Sequence, residues 1–124
     1  MAAPNIVNVA SVVGKTTYLT PSNTTANVLL ANAASSNKVF KINQIVAANV
    51  DGTNAVDCTV AINSAANGGG TSYAVASTVS VPADASLIVV DKSTAIYLEE
   101  DKSIVVTSGT ASKITYTISY EEIS

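Results

Sequence analysis

Strict two-residue alternation of apolar and polar side chains constrains this chain most. Over residues 55–63, Val56, Cys58, Val60 and Ile62 fall on one side and Asp57, Thr59, Ala61 and Asn63 on the other. Residues 113–120 repeat the pattern, with Ile114, Tyr116, Ile118 and Tyr120 opposed to Thr115, Thr117 and Ser119. Successive side chains of a strand point to opposite faces, so both segments are expected to be strands with one face buried. No stretch holds apolar residues at the spacing of a helix face for three turns. Residues 31–34 come nearest, and Asn32, Ser35, Ser36 and Asn37 break them into a loop or a single short turn.

Weaker alternation marks further strands. They are expected over residues 6–13, 16–20 (stopped by Pro21), 27–31, 95–98 and 103–108. Residues 38–49 form a long one, with Phe40, Ile42 and Val46 on one face and Val39 and Ile45 on the other. Residues 73–81 alternate through Tyr73, Val75, Ser77, Val79 and Val81 before Pro82. Residues 87–90 are wholly apolar, the pattern of a strand covered on both sides. Turn signals stand at Asp51-Gly52, at the acidic run from Glu99 to Lys102 and at Gly109-Thr110. Gly68, Gly69 and Gly70 are expected to leave the loop over residues 65–70 unconstrained. About eight to ten short strands with regular turn signals make an all-β chain, an antiparallel β-sandwich or jelly-roll-like domain. Nothing divides the chain, so residues 1–124 are read as one domain.

The composition holds little reactive chemistry. There is no His, Arg or Trp, and Cys58 is the one cysteine. With no His to activate it, Cys58 reads as a small buried hydrophobe, and one thiol cannot form an internal disulfide. The acidic residues sit mainly at turns and near the end of the chain, away from aromatic-rich segments, which fits solvated loop charges better than a carboxylate pair for hydrolysis. Zinc lacks ligands. Calcium has two candidate groups, Asp51 with Asn54 and Asp57, and Glu99-Glu100-Asp101, but neither has the ligand run of an EF-hand. The three glycines precede no Lys-Ser or Lys-Thr and are not a phosphate loop. Tyr73, Tyr97, Tyr116 and Tyr120, at strand spacing, are expected to pack in the core or at an interface. The chain is therefore read as a non-enzyme without a cofactor or metal.

Its six cations, all Lys, are scattered along a chain of net charge −3, which argues against nucleic acid as a partner. No apolar run approaches the roughly 18–20 residues of a membrane helix, so no membrane partner is expected. The start, Met1-Ala2-Ala3-Pro4-Asn5, lacks the basic and apolar regions of a signal peptide, which implies synthesis in a cytoplasm. Charged residues are only 12% of the chain, against about 25–35% on a free-standing soluble surface. Such a surface is either covered by another protein or made polar by Ser, Thr and Asn, and composition leaves both open.

Several strings resemble small virion structural proteins of marine phages, notably those of cyanobacteria. They are the opening from Met1 to Val9, Lys38-Val39-Phe40-Lys41-Ile42-Asn43, residues 49–55, residues 76–85, Ile96-Tyr97-Leu98-Glu99-Glu100 and the ending Ser119-Tyr120-Glu121-Glu122-Ile123-Ser124. The likeness spans most of the chain. Family members often have Gly-Asp where this chain has Asp101-Lys102, a departure confined to a turn. The resemblance implies a β-sandwich present in many copies on the virion. It points first to a capsid decoration, or cement, protein bound outside the head shell, with the major capsid protein, other virion subunits and further copies of itself (a homo-oligomer) as partners. A neck, tail or fibre component is the alternative, and a carbohydrate-binding adhesion module a further one, which the scarcity of aromatics disfavours. In this reading residues 1–9 form a docking arm, with Ala2, Ala3, Pro4, Asn5, Ile6 and Val7 as candidate interface residues that add a strand to a neighbour's sheet.

Overall fold

A computed structural model describes residues 9–124. The arm residues Ala2 to Val7, and the first part of the strand expected over residues 6–13, lie outside the described residues. The described chain forms nine strands: β1 (Val12–Leu19), β2 (Asn27–Asn32), β3 (Val39–Asn49), β4 (Val56–Asn63), β5 (Ser72–Val81), β6 (Ser86–Val90), β7 (Ile96–Leu98), β8 (Lys102–Ser108) and β9 (Ile114–Ile123). A 3-10 turn, Lys92–Thr94, links β6 to β7.

The strands make two antiparallel sheets. The first runs β1-β9-β3-β6, with β7 also paired to β3; the second runs β2-β8-β4-β5. Only β4 to β5 is a hairpin within the second sheet, and the chain crosses between layers at most other connections. Two sheets wound together in this order are a jelly roll. The core lies between them, where Ile42, Ile45, Tyr116 and Ile118 meet Cys58, Val60, Ile104 and Val106, all without solvent exposure. As the alternation predicts, β9 turns Ile114, Tyr116, Ile118 and Tyr120 inward, and β4 turns Val56, Cys58 and Val60 inward. Cys58 is a buried free thiol.

Five expectations need correction. The separate strands expected to end at Val13 and to begin at Thr16 are one strand, because β1 stays paired to β9 from Val12 to Leu19, straight through Gly14. In β3 a bulge at Asn43 breaks the period: Phe40 and Ile42 share the core face with Ile45 and Ala47, while Val46 turns to the outer face. In β5, register shifts near Thr78 and Val75 break the expected run, so that Val79 and Val81 pair on the core side while Val75 is exposed. Thr78 holds φ 50 there, and its N–H donates to Thr59 Oγ1 at 2.9 Å.

β6 is not covered on both sides. It is an edge strand, and Ile88 is 58% exposed. The triple-glycine loop is tied rather than free. Ser64 N–H donates to Thr71 O (3.0 Å), Gly68 N–H to Ala65 O (3.0 Å), and the Ser103 hydroxyl to Ala65 O (2.8 Å). Gly68, at φ 79, lies against Val28 and Val105, where an added Cβ would come within 2.9 Å of Val28 Cγ2. The loop therefore closes over the outer face of the second sheet and buries Ala61 and Val105 beneath it.

Candidate interaction surfaces

Asparagines that end three strands fix the loops at both ends of the sandwich. Asn32 closes β2, Asn49 closes β3 and Asn63 closes β4, and all three are buried. The Asn32 amide donates to the carbonyls of Lys38 (2.9 Å) and Leu98 (3.0 Å) and so bridges the two sheets. Asn63 donates to Gly70 O and Ser72 Oγ, and its carbonyl accepts the N–H groups of Ala65 and Gly70. At the opposite end Asn49 donates to Asn54 O (3.0 Å), Val81 O (2.9 Å) and Pro82 O (3.3 Å), and accepts the Asp51 N–H at 2.8 Å. Strand-end Asn before turn residues was a readable signal for these hubs, through the Asx-turn habit of the side chain.

Several of the residues weighed for chemistry are held in structural roles. Burial pushes the Cys58 thiol above its usual range. Tyr116 donates to Thr107 O at 2.8 Å, and burial pushes its phenol up to about 12. Asp51 accepts the backbone N–H groups of Thr53 and Asn54, which hold its carboxyl below the usual range. Glu100 accepts the Asn37 N–H, and Asp101 the Ala66 N–H. Among the described residues no three His, Cys, Asp or Glu side chains come together as a metal cage would need. The tyrosines divide: Tyr116 and Tyr120 are in the core, whereas Tyr73 and Tyr97 are exposed, as is Tyr18.

What remains is surface. The cross-strand register puts Tyr18, Thr117, Val46 and Ile88 in one row across the outer face of the first sheet. Tyr18 is 74% exposed at one end of that row and Ile88 lies open at the other. Neighbouring rows hold Thr16, Ser119 and Gln44, and Thr115, Ala48 and Ser86, so the middle of this face bears no charge. A shallow groove of about 440 Å³ opens at the Asn43 bulge between Gln44, Ser119, Asp91 and Lys92. A second, of about 300 Å³, runs from Asn43 toward Gly14. At one corner Glu122 pairs with Lys15 (2.7 Å) and Lys38, an arrangement that lowers the glutamate's pKa and raises that of Lys15.

Near that corner the first described residues meet the last, because the N–H groups of Ala10 and Ser11 both donate to Ser124 O. Among the described residues no helix is long and apolar enough to cross a membrane.

No protein-family model matches the sequence, and no curated protein matches it. The fold is similar to part of a chain of the infectious bursal disease virus particle (TM-score 0.51, 6% identity, 93% of this chain and 31% of that one). The chain thus spans about a third of that viral chain, and at this identity the likeness concerns the fold alone. A chain from the disulfide-linked pili of Bacillus endospore appendages aligns at a TM-score of 0.47 and 16% identity over 99% of this chain and 95% of its own. A chain of the infectious bursal disease virus Gx strain aligns at 0.43 and 10% identity over 90% and 33%.

Proposed function

We propose that this protein is a structural component of a phage virion, a capsid decoration protein that binds the outside of the head shell and stabilises it. The observation that carries the proposal is the neutral, uncovered outer face of the first sheet, with Tyr18 and Ile88 open at its ends. A stable protein contact buries about 1,200–2,000 Å², and a sheet face without charged residues at its centre gives up little hydration on docking. Capsid symmetry then multiplies a modest contact over the shell. The resemblance to marine phage virion proteins supports the same reading. So does the engagement of the chain's few reactive groups in its own turns and core.

The test is the protein's place and copy number in purified virions, measured by quantitative mass spectrometry and by cryo-electron microscopy. A lattice of copies over the head is the expected result. Copies confined to one vertex would make it a neck, tail or fibre component, and absence from virions would sink both readings. Thr117→Lys, which places a charge in the middle of the neutral face, is expected to abolish binding to undecorated heads and leave the melting temperature nearly unchanged. Binding by that variant equal to wild type would remove this face from the proposal.

A further inference from the structure

The edge strands of both sheets are nearly free of charge, and one of them, β1, is free of bulges as well. Edge strands expose unpaired backbone groups, and native proteins usually guard them with charged side chains, proline, bulges or a covering loop. Here β2, β5, β6 and β7 contain no charged residue, and the single charge on β1, Lys15, is turned to Glu122. The strand charges lie instead on the inner strands: Lys41 on β3, Asp57 on β4, Lys102 on β8, and Glu121 and Glu122 on β9. Among the described residues, eight of the nine exposed large hydrophobics sit on edge strands, with Val50 the exception. Bulges interrupt β2, β5 and β6, but β1 pairs without a register shift through all eight residues. No strand lies beyond β1 among the described residues.

We infer that the sandwich associates side by side with further copies of itself, the β1/β2 side of one copy meeting the β6/β5 side of the next. Three features identify the occupant as a second copy. The two sides carry the same kind of surface, edges of two stacked sheets, with β1 beside β2 at one and β6 beside β5 at the other. Only another two-layer sandwich offers two edges at the spacing of packed sheets, about 10 Å. Each sheet also has four strands in its antiparallel path, so its two edge strands run in opposite directions. A neighbour placed by translation therefore sets β6 antiparallel to β1, and β5 antiparallel to β2, continuing the ladder of both sheets. Backbone pairing falls mainly to bulge-free β1 against β6, while Val12 and Tyr18 on one side and Tyr73 and Ile88 on the other supply apolar contact. Because the two surfaces differ, the contact is heterologous. It grows into a ring or an open row rather than stopping at a two-fold dimer. This inference does not depend on a phage head as the binding partner.

The test uses two double variants of the full chain with lysines on opposite sides, Val12→Lys/Tyr18→Lys and Tyr73→Lys/Ile88→Lys. All four positions are exposed, so melting curves should stay close to wild type. Wild-type protein should sediment as a concentration-dependent series of oligomers or as a ring. Each variant alone should remain monomeric, and an equimolar mixture of the two should form a dimer and stop, because each supplies the side the other lacks. Wild-type protein that stays monomeric up to about 1 mM would overturn the inference. So would either variant forming a dimer alone, which marks a two-fold contact through the untouched side.

Discussion

Asn49→Ala tests whether the strand-end asparagines hold this sandwich together. Three hydrogen bonds of good length leave or enter the Asn49 side chain, to Asn54 O, Val81 O and from Asp51 N, and a longer fourth reaches Pro82 O. The bonds to Asn54 O and from Asp51 N–H are worth about 1 kcal/mol each net, and the buried Val81 carbonyl, left without its Asn49 donor, adds about 1–3 kcal/mol. The expected loss is about 3–5 kcal/mol. With an unfolding entropy of roughly 0.26 kcal/mol/K for a domain of this size, the melting temperature should fall by about 11–19 °C.

The assay is equilibrium urea unfolding at pH 7, with Asn49→Asp beside the alanine variant. The aspartate is isosteric and leaves no cavity. It keeps an acceptor for Asp51 N–H but aims an oxygen at carbonyls that had a donor, so it should cost at least as much as alanine. Its folded-state pKa would be raised above the unfolded value. The protonated acid can donate, so the stability should be fully recovered below the unfolded pKa, about pH 4, and be lost as pH rises above it through the raised folded-state pKa. An Asp variant as stable as wild type at pH 7, or losses under about 1 kcal/mol for both, would refute the hub.

Gly68→Ala should destabilise by about 2–3 kcal/mol, since it combines a left-handed backbone with a contact to Val28 that must shift. Gly14→Ala, with nothing within 4 Å of the added Cβ, should be neutral or slightly stabilising; equal effects in thermal melts would mean that the loop does not pack on Val28 and Val105. Lys15, then Lys38, holds the Glu122 carboxyl below its usual pKa, so the stability from that cluster is present above the unfolded carboxylate pKa and is lost as pH falls through the lower folded one. The gap between wild type and Glu122→Gln in urea unfolding should accordingly close on acidification below about pH 4; a gap independent of pH would remove the cluster as its cause.

The sequence made β4 and β9 legible because their alternation runs unbroken and one face of each meets the other sheet. It misled where a bulge intervened. One extra residue at Asn43 reverses the parity of β3, so Ile45 enters the core and Val46 leaves it, and nothing in the local composition announces the insertion. β6 misled for another reason. A wholly apolar run is the mark of a strand with two covered faces, but whether the second face is covered depends on topology, which alternation does not carry. Ile88 is apolar and exposed because β6 ends its sheet. The glycine loop looked unconstrained because glycine allows many backbone conformations. Asn63, the Ser103 hydroxyl and the close approach to Val28 select one, and two of those partners come from other strands.

Several polar groups of this chain are engaged in making the fold, and that bears on what is left for recognition. The asparagine amides at the strand ends bind backbone carbonyls of the adjoining loops and of strand β5. The carboxylates of Asp51, Asp91 and Asp101 accept backbone N–H groups of their own or neighbouring loops. A side chain committed to a turn cannot also reorganise around a reacting substrate without releasing the turn. The sheet edges are in the opposite condition, since their outward N–H and C=O groups have no strand partner among the described residues and the only charge on an edge strand, Lys15, is paired with Glu122. Such groups bind another strand at little conformational cost, because the edge is already extended and held by the ladder behind it. In the side-by-side association proposed above, recognition by this protein would be sheet meeting sheet, with the edge backbone rather than a side-chain site making the contact.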